Sequence, residues 1–251
     1  PQFSIDPRKA FNLIQGGNLY DTNFAYVREV LQNAVDAVLV RLWLYCGSRS
    51  DVDWSSPSSS RRTLDKERIF VELIEMDTIE EAGSLSSGWI LKVTDTGTGI
   101  GVEDLDYMLR IGASQENTRR QKIIQAMPEW LKPSGAFGIG LQSIFMVCDV
   151  IKMKTKDVVS NESLEVLMHS PTSDKEGLVF IKRKPSDISV SSGTTVEFEF
   201  KISAPKHSPL AYRPQSIQSS VATGYDPIYG ESVSYEAASI ADKIVEFAEG
   251  S

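Results

Sequence analysis

GAFGIGLQS, residues 135–143, decides how the rest of the chain is read. Gly135, Gly138 and Gly140 bracket Phe137 and Ile139, and the apolar run IFMV follows at once. Glycine in a helix interior costs about 1 kcal/mol relative to alanine, yet here it opens a helical pattern that reaches Val147. A helix N-terminus carries unpaired N–H groups and partial positive charge, so it attracts anions, phosphates above all. Glycine lets a phosphate come close with no Cβ in the way. The alternative is a tight glycine turn needed only to seat the helix on a sheet. The stretch taken alone leaves both open.

Composition narrows the class. The chain has 251 residues, 41% of them hydrophobic and 24% charged, which suits one large or two modest domains with a full core. The net charge of −8 argues against direct nucleic-acid binding, since a phosphate-gripping surface needs a basic stripe. Cys46 and Cys148 make neither a metal spacing nor a disulfide framework, and a reducing, cytoplasmic location is expected. No apolar run is long enough to cross a bilayer, and no signal peptide is visible. The chain begins PQFSID without an initiator methionine and reads as a fragment or a processed form.

Periodicity gives the order of elements. Residues 6–17 read as a short helix with Asp6 as cap and Gly16-Gly17 as stop. Residues 22–46 form a long helical pattern, with Phe24, Val27, Leu31, Val35 and Val38 at helical spacing. Residues 46–62 read as a Ser-rich loop. Strands are expected at 67–76, 88–95, 149–156, 163–170, 177–184 and 193–200, with a helix at 102–112. Residues 113–134 are polar, charged and broken by proline, long for a connection inside a domain and therefore functional or disordered. Helices first and hairpin-like strands later predict an α+β, two-layer α/β sandwich, its mostly antiparallel mixed sheet covered by helices on one face. Residues 203–231 read as linker and 232–250 as a terminal helix. Domain boundaries are set at 1–204 and 205–251.

Three further stretches carry chemistry. In REVLQNAVDA (28–37), Glu29, Asn33 and Asp36 recur at i, i+4 and i+7 on an otherwise apolar helix. An amide oxygen suits a hard cation such as Mg²⁺, and a carboxylate one turn away can polarise a water. A solvent-facing polar stripe explains the same pattern. In VTDTGTGIG (93–101), a strand ends at Asp95 and is followed by Gly97, Gly99 and Gly101. A carboxylate there can accept an exocyclic amine such as that of adenine, while an Asx-capped glycine turn is the plainer reading. In SGTTVEFEF (192–200), Gly193 and Thr194 open a strand, where a hydroxyl could meet a ligand directly or through water.

In this order, REVLQNAVDA, DTGTGI, the 113–134 segment, GAFGIGLQS and GTTV resemble the motif set of the GHKL ATPase superfamily over about residues 5–202. The second glycine box, of the form G-x-F-G-I-G-x-x-S, is most similar to that of the ninety-kilodalton heat-shock chaperones. The resemblance implies the Bergerat ATP-binding fold, a mobile lid at about 113–134, and slow ATP hydrolysis with ATP/ADP and Mg²⁺ as ligands. By motif position, Glu29 would be the general base and Asn33 the Mg²⁺ ligand. Asp95, with Gly97, Gly99 and Ile100 beside it, would hold adenine. Gly135, Phe137, Gly138, Ile139 and Gly140 would cradle phosphates, and Thr194 would complete the adenine-side hydrogen bonds. Asp36 matches a motif position and reads as structural. Histidine kinases usually carry Asn where Glu29 stands, so Glu29 points to hydrolysis. His169 and His207 lie in no phosphoacceptor context.

The chain departs from the chaperones in its lid, where IGASQENT lacks their lysine and the nearest basic residues are Arg119, Arg120 and Lys122. It also has the Ser-rich insertion, and nothing after residue 202 supplies the arginine that completes the chaperone site. The implied partners are an adenine nucleotide, a client protein or downstream domains, and a second copy in an ATP-dependent dimer, with no membrane. The alternatives are a nucleotide-switch module of a bacterial DNA-processing or defence protein, and a nucleotide sensor without turnover.

Overall fold

Alternation along the strands places one row of apolar side chains after another on a single face of the sheet. Trp89, Leu91 and Val93, then Phe198 and Phe200, then Ile151 and Met153, then Leu164, Val166 and Met168 all point into one core. The structure, a computed structural model, describes residues 25–81, 84–109, 117–134, 143–170, 177–185, 191–203, 224–225, 232–233 and 244–247. The helix read at 6–17, the start of the lid, the glycine box itself and most of the 203–243 stretch lie outside them.

Helix α1 (Ala25–Cys46) is followed by α2 (Pro57–Leu64), the hairpin β1 (Ile69–Glu81) and β2 (Ser84–Asp95), α3 (Val102–Leu109) and α4 (Thr118–Ala126). Two 3-10 turns come next, Glu129–Leu131 and Ile144–Met146, then β3 (Val150–Lys156), β4 (Ser163–His169), β5 (Leu178–Lys184) and β6 (Gly193–Ser203). The pair β7 (Gly224–Tyr225) and β8 (Ser232–Val233) stands apart in a two-stranded sheet. The main sheet has six strands in the order β1-β2-β6-β3-β4-β5. Every described pairing is antiparallel. The fold is therefore α+β, consistent with the two-layer sandwich expected.

Helix α1 lies on the core face because it is apolar almost all round, the pattern of a buried helix. Tyr26, Val27, Val30, Leu31 and Ala34 join the sheet side chains in one cluster, and Tyr26 meets Phe198 and Phe200 edge-on at 6.0 and 6.1 Å. Ile244 and Phe247, in the terminal stretch read as helical, also pack against this cluster. The opposite face of the sheet carries charge. Glu72, Lys92, Glu197 and Lys152 stand side by side on adjacent strands, with Lys92–Glu72 at 2.6 Å and Lys152–Glu199 at 2.8 Å. Such exposed pairs contribute little stability each, but they keep that face wet. No helix among the described residues is long and apolar enough to cross a membrane.

Three expectations change. Ser232–Val233, read as the start of the terminal helix, form the strand β8 paired with β7 instead. The Ser-rich stretch is not all loop: Ser56 caps α2, its hydroxyl and that of Ser59 forming a reciprocal capping box with Pro57 in the first turn. The polar 113–134 stretch contains α4, capped by the Asn117 side chain on the Arg120 N–H at 3.0 Å. A second small core joins these two segments. Val40, Met127 and Leu131 are buried together, with Trp43, Trp54 and Trp130 around them. Trp54 stacks on Trp130 at 6.3 Å and meets Trp43 edge-on at 5.9 Å. The Trp130 indole N–H donates to the Trp54 carbonyl at 2.9 Å. The second half of the expected lid is thus docked on the insertion.

Aromatic pairs add about 0.5–1.5 kcal/mol beyond the area they bury. Trp130→Ala is therefore expected to speed amide exchange roughly tenfold in residues 54–64 and 117–131. The sheet amides should keep their protection. Hydrogen-exchange mass spectrometry reads both.

Candidate nucleotide site

The apolar rows of the sheet end in a polar row. Along β2, Leu91 and Val93 are buried on the core face, and the next residue on that face is Asp95. Thr194 on β6 and Thr155 on β3 are register partners, one row beyond Val196 and Met153. Asp95, Thr194 and Thr155 are all buried. Three neighbouring strands thus put a carboxylate and two hydroxyls where the core stops.

This row is hydrogen-bonded from within. Asp95 Oδ1 accepts the Gly97 N–H at 2.7 Å and the Thr194 N–H at 3.2 Å. Asp95 Oδ2 takes no hydrogen bond from any described residue. The Thr155 and Thr194 hydroxyls lie 3.2 Å apart, and Thr155 Oγ1 accepts the Ile100 N–H at 2.7 Å. Asp95 is only 8% exposed. Burial pushes its carboxyl up to about 6, against the two N–H donors and the nearby Arg41 charge, which pull it down.

The glycines after Asp95 serve protein contacts. A Cβ on Gly97 would lie 2.5 Å from Ala37 Cβ, and Thr98 donates its N–H to the Ala37 carbonyl at 3.2 Å. Gly97 is therefore where the β2 loop presses on α1. Gly99 has φ +67, and a Cβ there would lie 1.9 Å from the Lys156 carbonyl. The close approaches expected of a ligand are made here by α1 and by the end of β3.

Glu29, Asn33, Ala37 and Arg41 follow one another at i+4 along α1, so they form a single ridge. Glu29 is half-buried and pairs with Arg28 at 3.1 Å. Asn33 is exposed. Asp36 lies off this ridge and is only 4% exposed. Its Oδ1 accepts from Gln32 Nε2 at 2.8 Å and from the Ser134 N–H at 3.3 Å, just before the glycine box. That fits the structural part read for Asp36. Gly135, Phe137, Gly138, Ile139 and Gly140 lie outside the described residues.

Sequence reasoning passed over Thr155, Ala37, Asp157, Arg41 and Glu67. Thr155 had a signal: in VIKMKTK it continues the Ile151, Met153 alternation with a polar residue. Asp157 is buried, accepts the Ser160 N–H at 2.7 Å and stands against Gly101. Arg41 pairs with Glu67, and Glu67 Oε2 also accepts the Thr96 hydroxyl at 3.1 Å. Cys46 and Cys148 are both free, and burial pushes the Cys148 thiol up to about 12, so it is an inert core side chain.

No protein-family model matches the chain. A chaperone protein HtpG of Methylobacterium nodulans is 27% identical over 148 residues, 58% of this chain. Those residues are 21% of the relative, so the match spans about a fifth of its length. The likeness is distant and partial, and at its coarsest it is a likeness to a chaperone.

The buried carboxyl sets a pH dependence. An ordinary aspartate titrates near 3.8 and Asp95 near 6, so between those values the folded chain binds the extra proton. Stability then falls as pH rises through the window. Asp95→Asn keeps the oxygen that accepts both N–H groups and removes the charge. It is expected to stabilise the ligand-free fold by about 3 kcal/mol at pH 7.5 and by far less near pH 4. Urea melts at the two pH values measure the difference.

Proposed function

We propose that this chain is the nucleotide-binding domain of a chaperone-like ATPase. The observation that carries the reading is Asp95: a buried carboxylate fixed through one oxygen by two backbone N–H groups, its other oxygen open. A buried acceptor held in place and left half-satisfied is what recognition of an amine requires. Asp95 Oδ2 accepts the exocyclic amine of adenine, and the Thr155–Thr194 hydroxyl pair stands on the adjoining strands to complete the polar edge.

The α1 ridge supplies the rest of the reading. Asn33, exposed and with no hydrogen bond to a described residue, offers a single amide oxygen. One protein oxygen is enough for a Mg²⁺ that takes its other ligands from phosphate and water. Bound there, the ion would neutralise phosphate charge. Among the described residues no group of three or more His, Cys, Asp or Glu side chains could hold a metal by itself, so the donor set suits a nucleotide-borne ion. Glu29, one turn away, holds and orients the attacking water once its contact with Arg28 is given up. The glycine box meets the phosphates through backbone N–H groups, a role carried by its sequence. Asp36 fastens Ser134, the residue before that box, to α1. A lid over 113–134, slow turnover, and action on a client protein, downstream domains or a second copy belong to the same reading.

The Arg28–Glu29 pair favours one alternative, a nucleotide sensor that binds without hydrolysing. Two measurements separate the cases. Calorimetric titration of Mg²⁺–ADP is expected to show micromolar or tighter binding to the wild type, weakening as pH falls below about 6 and lost in Asp95→Asn. Wild-type protein that binds no ADP would sink the reading. Glu29→Ala is expected to keep ADP binding and to lower turnover of the full-length protein by about 10²-fold or more. Unchanged turnover would remove Glu29 as the base.

A further inference from the structure

The Asp95 turn is braced from behind by a charge that nothing in the ATPase reading uses. Arg41 stands on the α1 ridge one turn beyond Ala37, the residue that presses on Gly97. Its guanidinium pairs with Glu67, just ahead of β1, and lies 6.0 Å from the Tyr45 ring centroid. The same Glu67 oxygen accepts the hydroxyl of Thr96, the residue between Asp95 and Gly97. A continuous chain therefore runs from Arg41 through Glu67 to the turn that holds Asp95. It is largely enclosed: Arg41 and Glu67 side chains are each 19% exposed, and Arg41 Nε is buried with no hydrogen-bond partner among the described residues. A guanidinium kept there with one donor unsatisfied costs stability.

We propose that Arg41, acting through Glu67 and Thr96, is a positioning residue that holds the Asp95 turn where its carboxylate accepts an amine. This rests on the nucleotide reading of Asp95. Other charged groups stand around the turn without sharing this arrangement. On α1, Asp36 is engaged by Gln32 and Ser134. Beyond Gly99, Lys156 and Asp157 pack at the far end of the glycine loop. On β6 the nearest charged residue, Glu197, is on the opposite face with Lys152. Arg41 is the cation whose field opposes the effect of burial on Asp95. Glu67 tempers that field, so the pair sets the balance: removing Arg41 favours the neutral acid, and neutralising Glu67 favours the carboxylate.

The test is a ¹³C NMR titration of the Asp95 carboxyl in the ligand-free chain, its signal assigned by loss in Asp95→Asn. It is run on the wild type, Arg41→Met, Arg41→Lys and Glu67→Gln. The expected result is a midpoint moved to higher pH in Arg41→Met and to lower pH in Glu67→Gln, with Arg41→Lys close to wild type. Mg²⁺–ADP affinity near pH 6 should follow, weaker several-fold in Arg41→Met and stronger in Glu67→Gln. Opposite shifts from two substitutions in one ion pair cannot come from general loosening. Equal midpoints in all four proteins, or shifts of the same sign in both charge-removing variants, overturn the proposal. Should Arg41→Met fail to fold, Arg41→Gln is titrated in its place: a midpoint at higher pH supports the proposal and an unmoved one overturns it. Shifted midpoints in proteins that bind no ADP would retain Arg41's control of Asp95 and remove the nucleotide reading instead.

Discussion

One carboxylate oxygen ties this structure together. Asp95 Oδ1 receives the N–H of Gly97 two residues away and that of Thr194 ninety-nine residues away. The first bond shapes the turn after β2. The second fixes where β6 begins beside it. A buried carboxylate with no donors would be expelled or neutralised, so the turn, the strand start and the charge hold one another in position. The glycines follow from this crowding. Gly97 yields space to Ala37, and Gly99 takes positive φ against the end of β3.

The surrounding packing explains how the site stays rigid while remaining polar. Helix α1 spends one set of positions on the sheet core and another on the Asp95 turn. Three strands deliver Asp95, Thr194 and Thr155 to one row because their registers are locked by the apolar rows beneath. A slip of one residue in any of them would turn that row to the charged face. Stability and site geometry therefore share the same cause. They also compete, since the ionised Asp95 is unfavourable in the absence of a ligand.

Much of this was legible in the residues. The strands at 88–95, 149–156 and 193–200 showed clean alternation, and α1 showed helical spacing, because each buries a single face or stripe against a continuous core. The order of the strands, the mostly antiparallel sheet and a strand ending at Asp95 followed from those patterns. Other features had no local signature. The hairpin β1–β2 runs on to Glu81 and back from Ser84 through a stretch with few apolar residues, where the two strands pair with each other. Helix α2 was hidden in serines, although Ser56-Pro57 is a cap followed by a first-turn proline. The Trp43, Trp54 and Trp130 cluster joins residues far apart in sequence, which periodicity cannot register. The Arg41–Glu67–Thr96 chain is likewise tertiary. The glycine box, which carries the strongest motif, is supported by its sequence alone.

The strand order has a consequence in time. Strand β6 is made after β1 to β5 but sits in the middle, between β2 and β3. On a ribosome adding about 5–20 residues per second, Thr194 emerges roughly 5–20 s after Asp95. Until then the β1–β2 hairpin and the β3–β4–β5 meander have no common strand to pair with. The facing edges of β2 and β3 lie unpaired, and the carboxylate lacks its second donor. A nascent chain stopped short of residue 193 would have most of its secondary structure and no pocket. Maturation of the site is thus a single late event, set by the arrival of one strand.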